Sequence, residues 1–408
     1  MKLHFNNIAI HFHLIQKWGV LDFLTILIIA YGLGESTGVE FRIIMLLLEL
    51  AWVIVDIVQK QGKILILKND NSAILLVTFL VVYFGLCFIS TDTILALKYG
   101  MAYTIYFLLL VIGNYYIVND DKVKIRLLCE LSINVLTFYS IVSIIFYLQN
   151  PGAGRVIAAN RESFGRIIIG GGYDLAYILA IVSPVLVIEI LKHQRTILNL
   201  MRLVLFVFTM ILTGSFLTLM LAVMGCLISF YISISNKYLR VLIAMIFSVI
   251  AFLVLYSSLD IIISRTGGKI YDSVAVRINE VARILKGEKL GQNSAFGQRI
   301  FAYTKNTEIL KTHPFIGGMY DFGVLQTRYA TDSTYISALL CWGILLGGIF
   351  VLGHVIKGIK LYRIPGAMFV CLIMPLVNSM FSVSYYLGLF IIIPWLDYYY
   401  STDNFTNK

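Results

Sequence analysis

Runs of apolar residues long enough to cross a bilayer recur from about residue 20 to residue 397, separated by polar joints. Their centres fall near residues 27, 50, 81, 106, 138, 182, 207, 225, 248, 342, 374 and 390, a pattern that predicts about twelve transmembrane helices. The joints alternate in charge. Lys60, Lys63 and Lys68 follow the second run, and Lys122, Lys124 and Arg126 the fourth. Lys192, Arg195 and Arg202 follow the sixth, Lys237 and Arg240 the eighth, and Lys357, Lys360 and Arg363 the tenth. The intervening joints, ESTGVE at 35–40, STDT at 90–93, TGS at 213–215 and SVS at 382–384, hold almost no basic residue. Positive charge is retained on the cytoplasmic side during insertion, so both termini are expected in the cytoplasm.

Two joints assigned to the outer face depart from this alternation. One, at about residues 149–172, carries Arg155, Arg161 and Arg166 ahead of a triple glycine. The other runs from about Ser258 to Asp332 and holds ten Lys/Arg against seven Asp/Glu. Long loops are exempt from the positive-inside rule and short ones are not, so the three arginines are the odder feature. Within the long joint, Val274, Ile278, Val281 and Leu285 repeat at helical spacing. Phe296, Ile300, Tyr303 and Leu310 predict a second amphipathic helix, which THPFIGG ends through Pro314 and the pair Gly317–Gly318. The expected organisation is therefore nine spans over residues 1–257, an extracytoplasmic helical domain over 258–332, and three spans with a cytoplasmic tail over 333–408.

Composition agrees with an all-α polytopic membrane protein: 59% of the residues are hydrophobic and 13% charged, where a soluble domain carries about a quarter charged. The net charge of +10 is the sum of the basic joints rather than a nucleic-acid surface. The first run, Val20 to Gly34, is not followed by a small-residue cleavage site, so no cleavable signal peptide is expected. The five cysteines are scattered through apolar runs without metal-ligand spacing and read as small buried hydrophobes. No metal site and no cofactor is expected: P-loop, HExxH and GxSxG patterns are missing, and the external segments hold no DxD-like metal pair.

The candidate chemistry lies in the outer joints. Guanidinium groups present planar forks of donors that match phosphate oxygens, so Arg155, Arg161 and Arg166 suit a lipid-linked pyrophosphate, while ordinary phospholipid headgroups would serve them equally by position. His313 is the single histidine assigned to the outer face, a turn residue or a proton carrier. The others, His354 among them, are assigned to the cytoplasmic side. Asp332 stands where the long joint meets the tenth run, as a helix N-cap or as a general base for a hydroxyl. Glu49 is the acid set well inside a span; one or two such groups make a thin case for an ion-coupled transporter.

The arrangement resembles the bacterial O-antigen and capsule polymerases, which share a superfamily with the O-antigen ligases. The likeness covers most of the chain as topology and sharpens over residues 296–348, where RIFAYTKNTEIL leads into HPFIGG and then STYISALLCWGILLGGIF. In the family that segment looks like HP(L/F)xGxG followed by HNxYLxxLxxxGxxG, which makes Gly317 and Gly343 motif glycines. An arginine in an earlier outer loop followed by glycine is also similar: nine residues separate Arg161 from Gly171. Two positions depart. The ligases carry histidine where this chain has Asp332, with ten residues between it and Gly343, and many relatives have Ser-Arg where this chain has TGSFLT.

The resemblance implies a glycosyltransferase of the bacterial cytoplasmic membrane, active at the extracytoplasmic face, that joins undecaprenyl-pyrophosphate-linked oligosaccharide repeat units. Arg155, Arg161 and Arg166, aided by Arg277 and Arg299, would then hold pyrophosphate, and Asp332 or His313 would activate the acceptor hydroxyl. A flippase and a chain-length regulator are the protein partners it implies. An O-antigen-type ligase and a lipid-linked oligosaccharide flippase are the rival readings.

Overall fold

A computed structural model of the chain describes residues 18–34, 39–59, 70–150, 172–192, 195–234, 311–320, 333–378 and 382–403, with isolated positions at Tyr238, Glu280, Arg283 and Lys286. The described residues form helices and no strand. In chain order these are α1 (Val20–Leu33), α2 (Val39–Gln59), α3 (Asn71–Cys87), α4 (Thr93–Val118), α5 (Lys122–Gln149), α6 (Gly172–Leu191), α7 (Thr196–Thr213), α8 (Phe216–Ser233), α9 (Thr334–Ile359) and α10 (Pro365–Val377). Val383–Leu387, a π-helical turn at Gly388–Ile392 and Ile393–Asp403 run on as one helix, α11.

Each predicted centre except that near residue 248, which lies outside the described residues, falls within one of these helices. Five of them, α4, α5, α6, α7 and α9, are long and apolar enough to cross a membrane. Their outward positions are apolar as well: Leu47, Ile54, Val81, Phe138, Met201 and Val204 are all exposed. A surface of that kind is stable against hydrocarbon and not against water, so the protein is a helical membrane protein. The two amphipathic helices expected near Val274–Lys286 and Ser294–Leu310 fall outside the described residues, save for helical backbone at Glu280 and Arg283.

The charges gather at one end of the bundle. Lys124 pairs with Asp22 at 2.9 Å, Arg195 with Glu130, Arg363 with Asp397 at 3.3 Å, and Lys357 and Lys360 converge on Asp70 at 3.3 and 2.6 Å. These pairs join the starts of α1, α5 and α7 to one another, the start of α3 to the end of α9, and the joint after α9 to α11, at the basic joints that the alternation picked out. Burial alone would raise the Asp70 carboxyl, but Lys357 and hydrogen bonds from Lys360 and Ser72 outweigh it and hold the group well below the usual carboxylate range.

α6 occupies the middle, with most of its residues buried between α7, α8, α10 and α11. Aromatic residues fill the space between α3, α4, α9 and α11: Phe79, Tyr103, Trp342 and Phe350 interlock, and Tyr106 stacks on Tyr386 at 4.3 Å between ring centroids. α11 is pinned by three long-range hydrogen bonds, Ser384 Oγ to the Gly32 carbonyl, Tyr385 Oη to that of Cys371 and Trp395 Nε1 to that of Gly113.

Candidate functional site

α9 does not cross as one rod. At Gly343 the backbone takes φ +72° and ψ 178°, a conformation open in practice to glycine alone, and the helix breaks into two arms. In a straight helix Tyr335 and His354 would stand about 28 Å apart, at 1.5 Å per residue. Their rings are instead 6.4 Å apart, and those of Trp342 and Phe350 are 5.0 Å apart. Gly347 lies against the Ala338 carbonyl, so the arms double back on each other. The centre assigned to the tenth span, near residue 342, is thus a reversal of direction rather than the middle of a span. The apolar run reads straight through it because both arms are apolar, the longer one on its exposed face as well, where Ile344, Leu345 and Leu352 lie.

The HPFIGG turn seats on this break. The Gly317 amide donates to the His313 carbonyl at 2.8 Å, closing the turn, and the Ile344 amide donates to the Pro314 carbonyl at 2.8 Å. That second bond satisfies a donor at the head of the longer arm, which has no partner within its own helix. Gly317 has φ +64°. A side chain there would strike the Gly343 amide and the Leu340 carbonyl, and one at Gly343 would strike the Phe315 carbonyl. The two motif glycines therefore exist for each other: each removes a Cβ from the place where the other backbone passes. His313 is exposed at the rim of the turn.

The shorter arm begins inside the protein. Ser333 and Thr334 are wholly buried. Ser333 Oγ donates to the Pro375 carbonyl at 3.3 Å, and the Thr334 amide and hydroxyl both donate to the Asn378 carbonyl, at 3.1 and 3.0 Å. The start of α9 is thus bonded to the interruption between α10 and α11, with irregular backbone at both places. Non-helical backbone at membrane depth survives only where protein or a water-filled cavity surrounds it, and such breaks recur where membrane proteins bind polar ligands. The N-cap is Ser333, which accepts from the Ile336 amide at 3.3 Å, in place of the Asp332 cap considered from sequence. Serine provides the same acceptor on a shorter stem.

Tyr335, His354 and Tyr386 cluster behind this point, and Asn378 adjoins them through its carbonyl bonds to Thr334. Tyr335, His354, Asn378 and Tyr386 are all buried, and His354 stands 5.4 Å from Tyr386, ring centroid to ring centroid. His354 Nδ1 lies 3.2 Å from the Phe350 carbonyl. Among the described residues, the Tyr335 and Tyr386 hydroxyls, His354 Nε2 and Asn378 Nδ2 have no hydrogen-bond partner. Buried polar atoms without a partner cost free energy and are uncommon, so these four set the surroundings of the broken helix apart from the apolar packing elsewhere in the bundle. The cytoplasmic assignment of His354 is corrected: it is enclosed in the bundle, one turn from Lys357 on the side away from the basic end. Glu49 is wholly buried, as expected of an acid inside a span; Asp22, Asp56, Arg202, Lys357 and Asp397 are buried too, but toward the basic end, where Asp22, Lys357 and Asp397 are paired.

The connection that carries the loop arginines leaves and re-enters at the end opposite the basic one, between the end of α5 and the start of α6. Its last residue is followed by Gly172, whose amide donates to Tyr147 Oη at 3.1 Å. The His313–Gly317 turn sits on the same side of Lys357, about 20 Å along the longer arm of α9. Of the predicted site residues, Arg155, Arg161, Arg166, Gly171, Arg277, Arg299 and Asp332 lie outside the described residues. His313, Gly317 and Gly343 are brought together. The chain matches no protein-family model and no curated protein.

Proposed function

We propose that the protein is a surface-polysaccharide polymerase of the bacterial cytoplasmic membrane, acting at its outer face on oligosaccharides linked to undecaprenyl pyrophosphate. The observation that carries this reading is the reciprocal packing of the HPFIGG turn on the Gly343 break. The two halves of the sequence pattern that resembles the polymerases form one structural unit, and four buried polar groups with no partner among the described residues lie near it.

In the reaction, a hydroxyl oxygen at the non-reducing end of one lipid-linked unit attacks the anomeric carbon of the growing glycan. The bond from that carbon to pyrophosphate breaks, and its electron pair leaves with the lipid pyrophosphate. Asp332, or His313 at the rim, takes the hydroxyl proton. Arg155, Arg161 and Arg166, with Arg277 and Arg299, offset the charge that develops on the departing oxygen. Tyr335, His354, Asn378 and Tyr386 offer hydrogen bonds to the sugar or to water that accompanies it. Arg161→Ala and Asp332→Ala are expected to abolish long polymer while single repeat units persist on the carrier. Normal chain lengths from both variants would sink this site assignment.

A second reading, a flippase for the same lipid-linked units, draws on the broken helix and the polar groups inside the bundle. It predicts that loss of the protein strands repeat units on the cytoplasmic leaflet, whereas loss of a polymerase leaves them exposed outside.

A further inference from the structure

A second polar site lies at the basic end, away from the Gly343 break. α5, α6, α7 and α11 leave an open cleft there of about 360 Å³, lined by Arg126, Arg195 and Arg202, by Glu130 and Glu189, and by the Tyr399 ring. Three guanidiniums against two carboxylates leave the lining with one net positive charge. Both carboxylates are already engaged: Glu130 pairs with Arg195, and Glu189 accepts from Asn199 Nδ2 at 2.8 Å and from the Tyr400 hydroxyl at 3.2 Å.

The arginines are held differently. Arg202 is buried, and its Nη1 and Nη2 donate to Asn199 Oδ1 at 3.0 Å and to Asn134 Oδ1 at 2.5 Å, so neutral amides fix its plane, while the nearby Glu189 and Glu130 carboxylates offset part of its charge without bonding it directly. Its Nε has no partner among the described residues. Arg126 lies 5.6 Å over the Tyr399 ring and pairs with no carboxylate among the described residues. A buried, oriented guanidinium that faces a cavity, beside Arg126 and in a lining of net positive charge, is a receptor for an anion with several oxygens.

The outer face of α7 identifies the source of that anion. Asn199 and Arg202 turn toward the cleft, while Leu200, Met201, Val204, Leu205 and Phe208 form a shallow apolar groove on the same helix. Met201 and Val204 are 65% and 61% exposed, the state expected of side chains that meet hydrocarbon. A phosphate in the cleft would therefore have acyl chains beside it.

We propose that this cleft binds the phosphate headgroup of an anionic phospholipid, with its acyl chains along the α7 groove. The site is independent of the polymerase reading and stands if that reading fails. The test uses the full-length protein in bilayer discs of phosphatidylcholine with a minor fraction of phosphatidylglycerol. Lipid retained by the purified protein is measured by native mass spectrometry. Phosphatidylglycerol is expected to be retained at least about tenfold over its share, and Arg126→Gln to cut that preference by about tenfold. Arg202→Gln is expected to remove it. Because the one contact of Arg126 among the described residues is with the Tyr399 ring, its variant keeps the test valid if Arg202→Gln misfolds. Equal retention of the two lipids, or an unchanged preference in Arg126→Gln, overturns the proposal. So does displacement of the lipid by millimolar inorganic phosphate, which would mean a site for the free anion.

Discussion

Replacing Gly343 by alanine tests whether the reversal in α9 is the joint on which the site depends. An L-residue at φ +72° and ψ 178° costs about 1–3 kcal/mol in backbone strain. The added Cβ would also overlap the Phe315 carbonyl. That atom belongs to a backbone held by the Ile344–Pro314 and Gly317–His313 bonds, so it yields only by opening the turn, at a further cost of about 1–3 kcal/mol by the measure of overpacked cores. The sum is about 2–6 kcal/mol. At about 2 cal/mol/K of unfolding entropy per residue, the expected fall in melting temperature in detergent is roughly 2–7 °C. Gly348→Ala is the control, because a Cβ there meets nothing within 4 Å and alanine favours a helix. The purified variants are compared by thermal unfolding, and their polymer length is read from glycan ladders. If Gly343→Ala melts with Gly348→Ala, the joint is not where the structure puts it and the reasoning fails.

Other substitutions probe the remaining features. Tyr335→Phe and Tyr386→Phe remove hydroxyls that have no partner among the described residues, so melting is expected to hold or rise slightly while polymer yield falls at least about tenfold. Loss of stability without loss of yield would assign those hydroxyls a purely structural part. Asp70→Asn leaves buried Lys357 without its carboxylate and is expected to cost about 2–3 kcal/mol, below the range for a fully enclosed pair because Lys360 stays half exposed. Since folding lowers the Asp70 pKa, its contribution is present at neutral pH and fades as pH falls below the unfolded carboxylate value of about 4. Wild type and Asp70→Asn should therefore converge in melting temperature on acidification, and a gap that widens would contradict the pairing. Glu49 is wholly buried with neither oxygen bonded among the described residues, and Glu49→Leu is expected to gain about 1–3 kcal/mol in a denaturant titration.

Much of the fold was legible in the sequence because two strong signals coincide. Hydrophobic length located the helices, and the alternation of basic joints foretold which ends would share a face, as the Lys124, Arg195, Lys357 and Arg363 pairs show. Hydrophobicity carries no information about direction, however. STYISALLCWGILLGGIF reads as one continuous span although it doubles back in the middle. The clue lay in the pair of glycines, Gly317 and Gly343, whose shared role appears only when the turn is docked on the break. His354 was misplaced for a related reason. Near Lys357 and Lys360 it reads as part of a basic joint, yet a helix turns the side chain one turn earlier into the interior. Tyr335 and Tyr386 carry no signal in the sequence, and only packing reveals buried hydroxyls without partners among the described residues.

The central claim meets its most direct test in reconstituted membranes. The purified protein is supplied with lipid-linked repeat units on the face opposite its basic joints, and the products are resolved by length while released undecaprenyl pyrophosphate is counted. The account predicts a ladder of lengthening glycans, one pyrophosphate lipid released for each linkage made, and no ladder from Asp332→Ala or Arg161→Ala. Repeat units that cross the bilayer unchanged, with no linkage formed and no pyrophosphate lipid released, would contradict it.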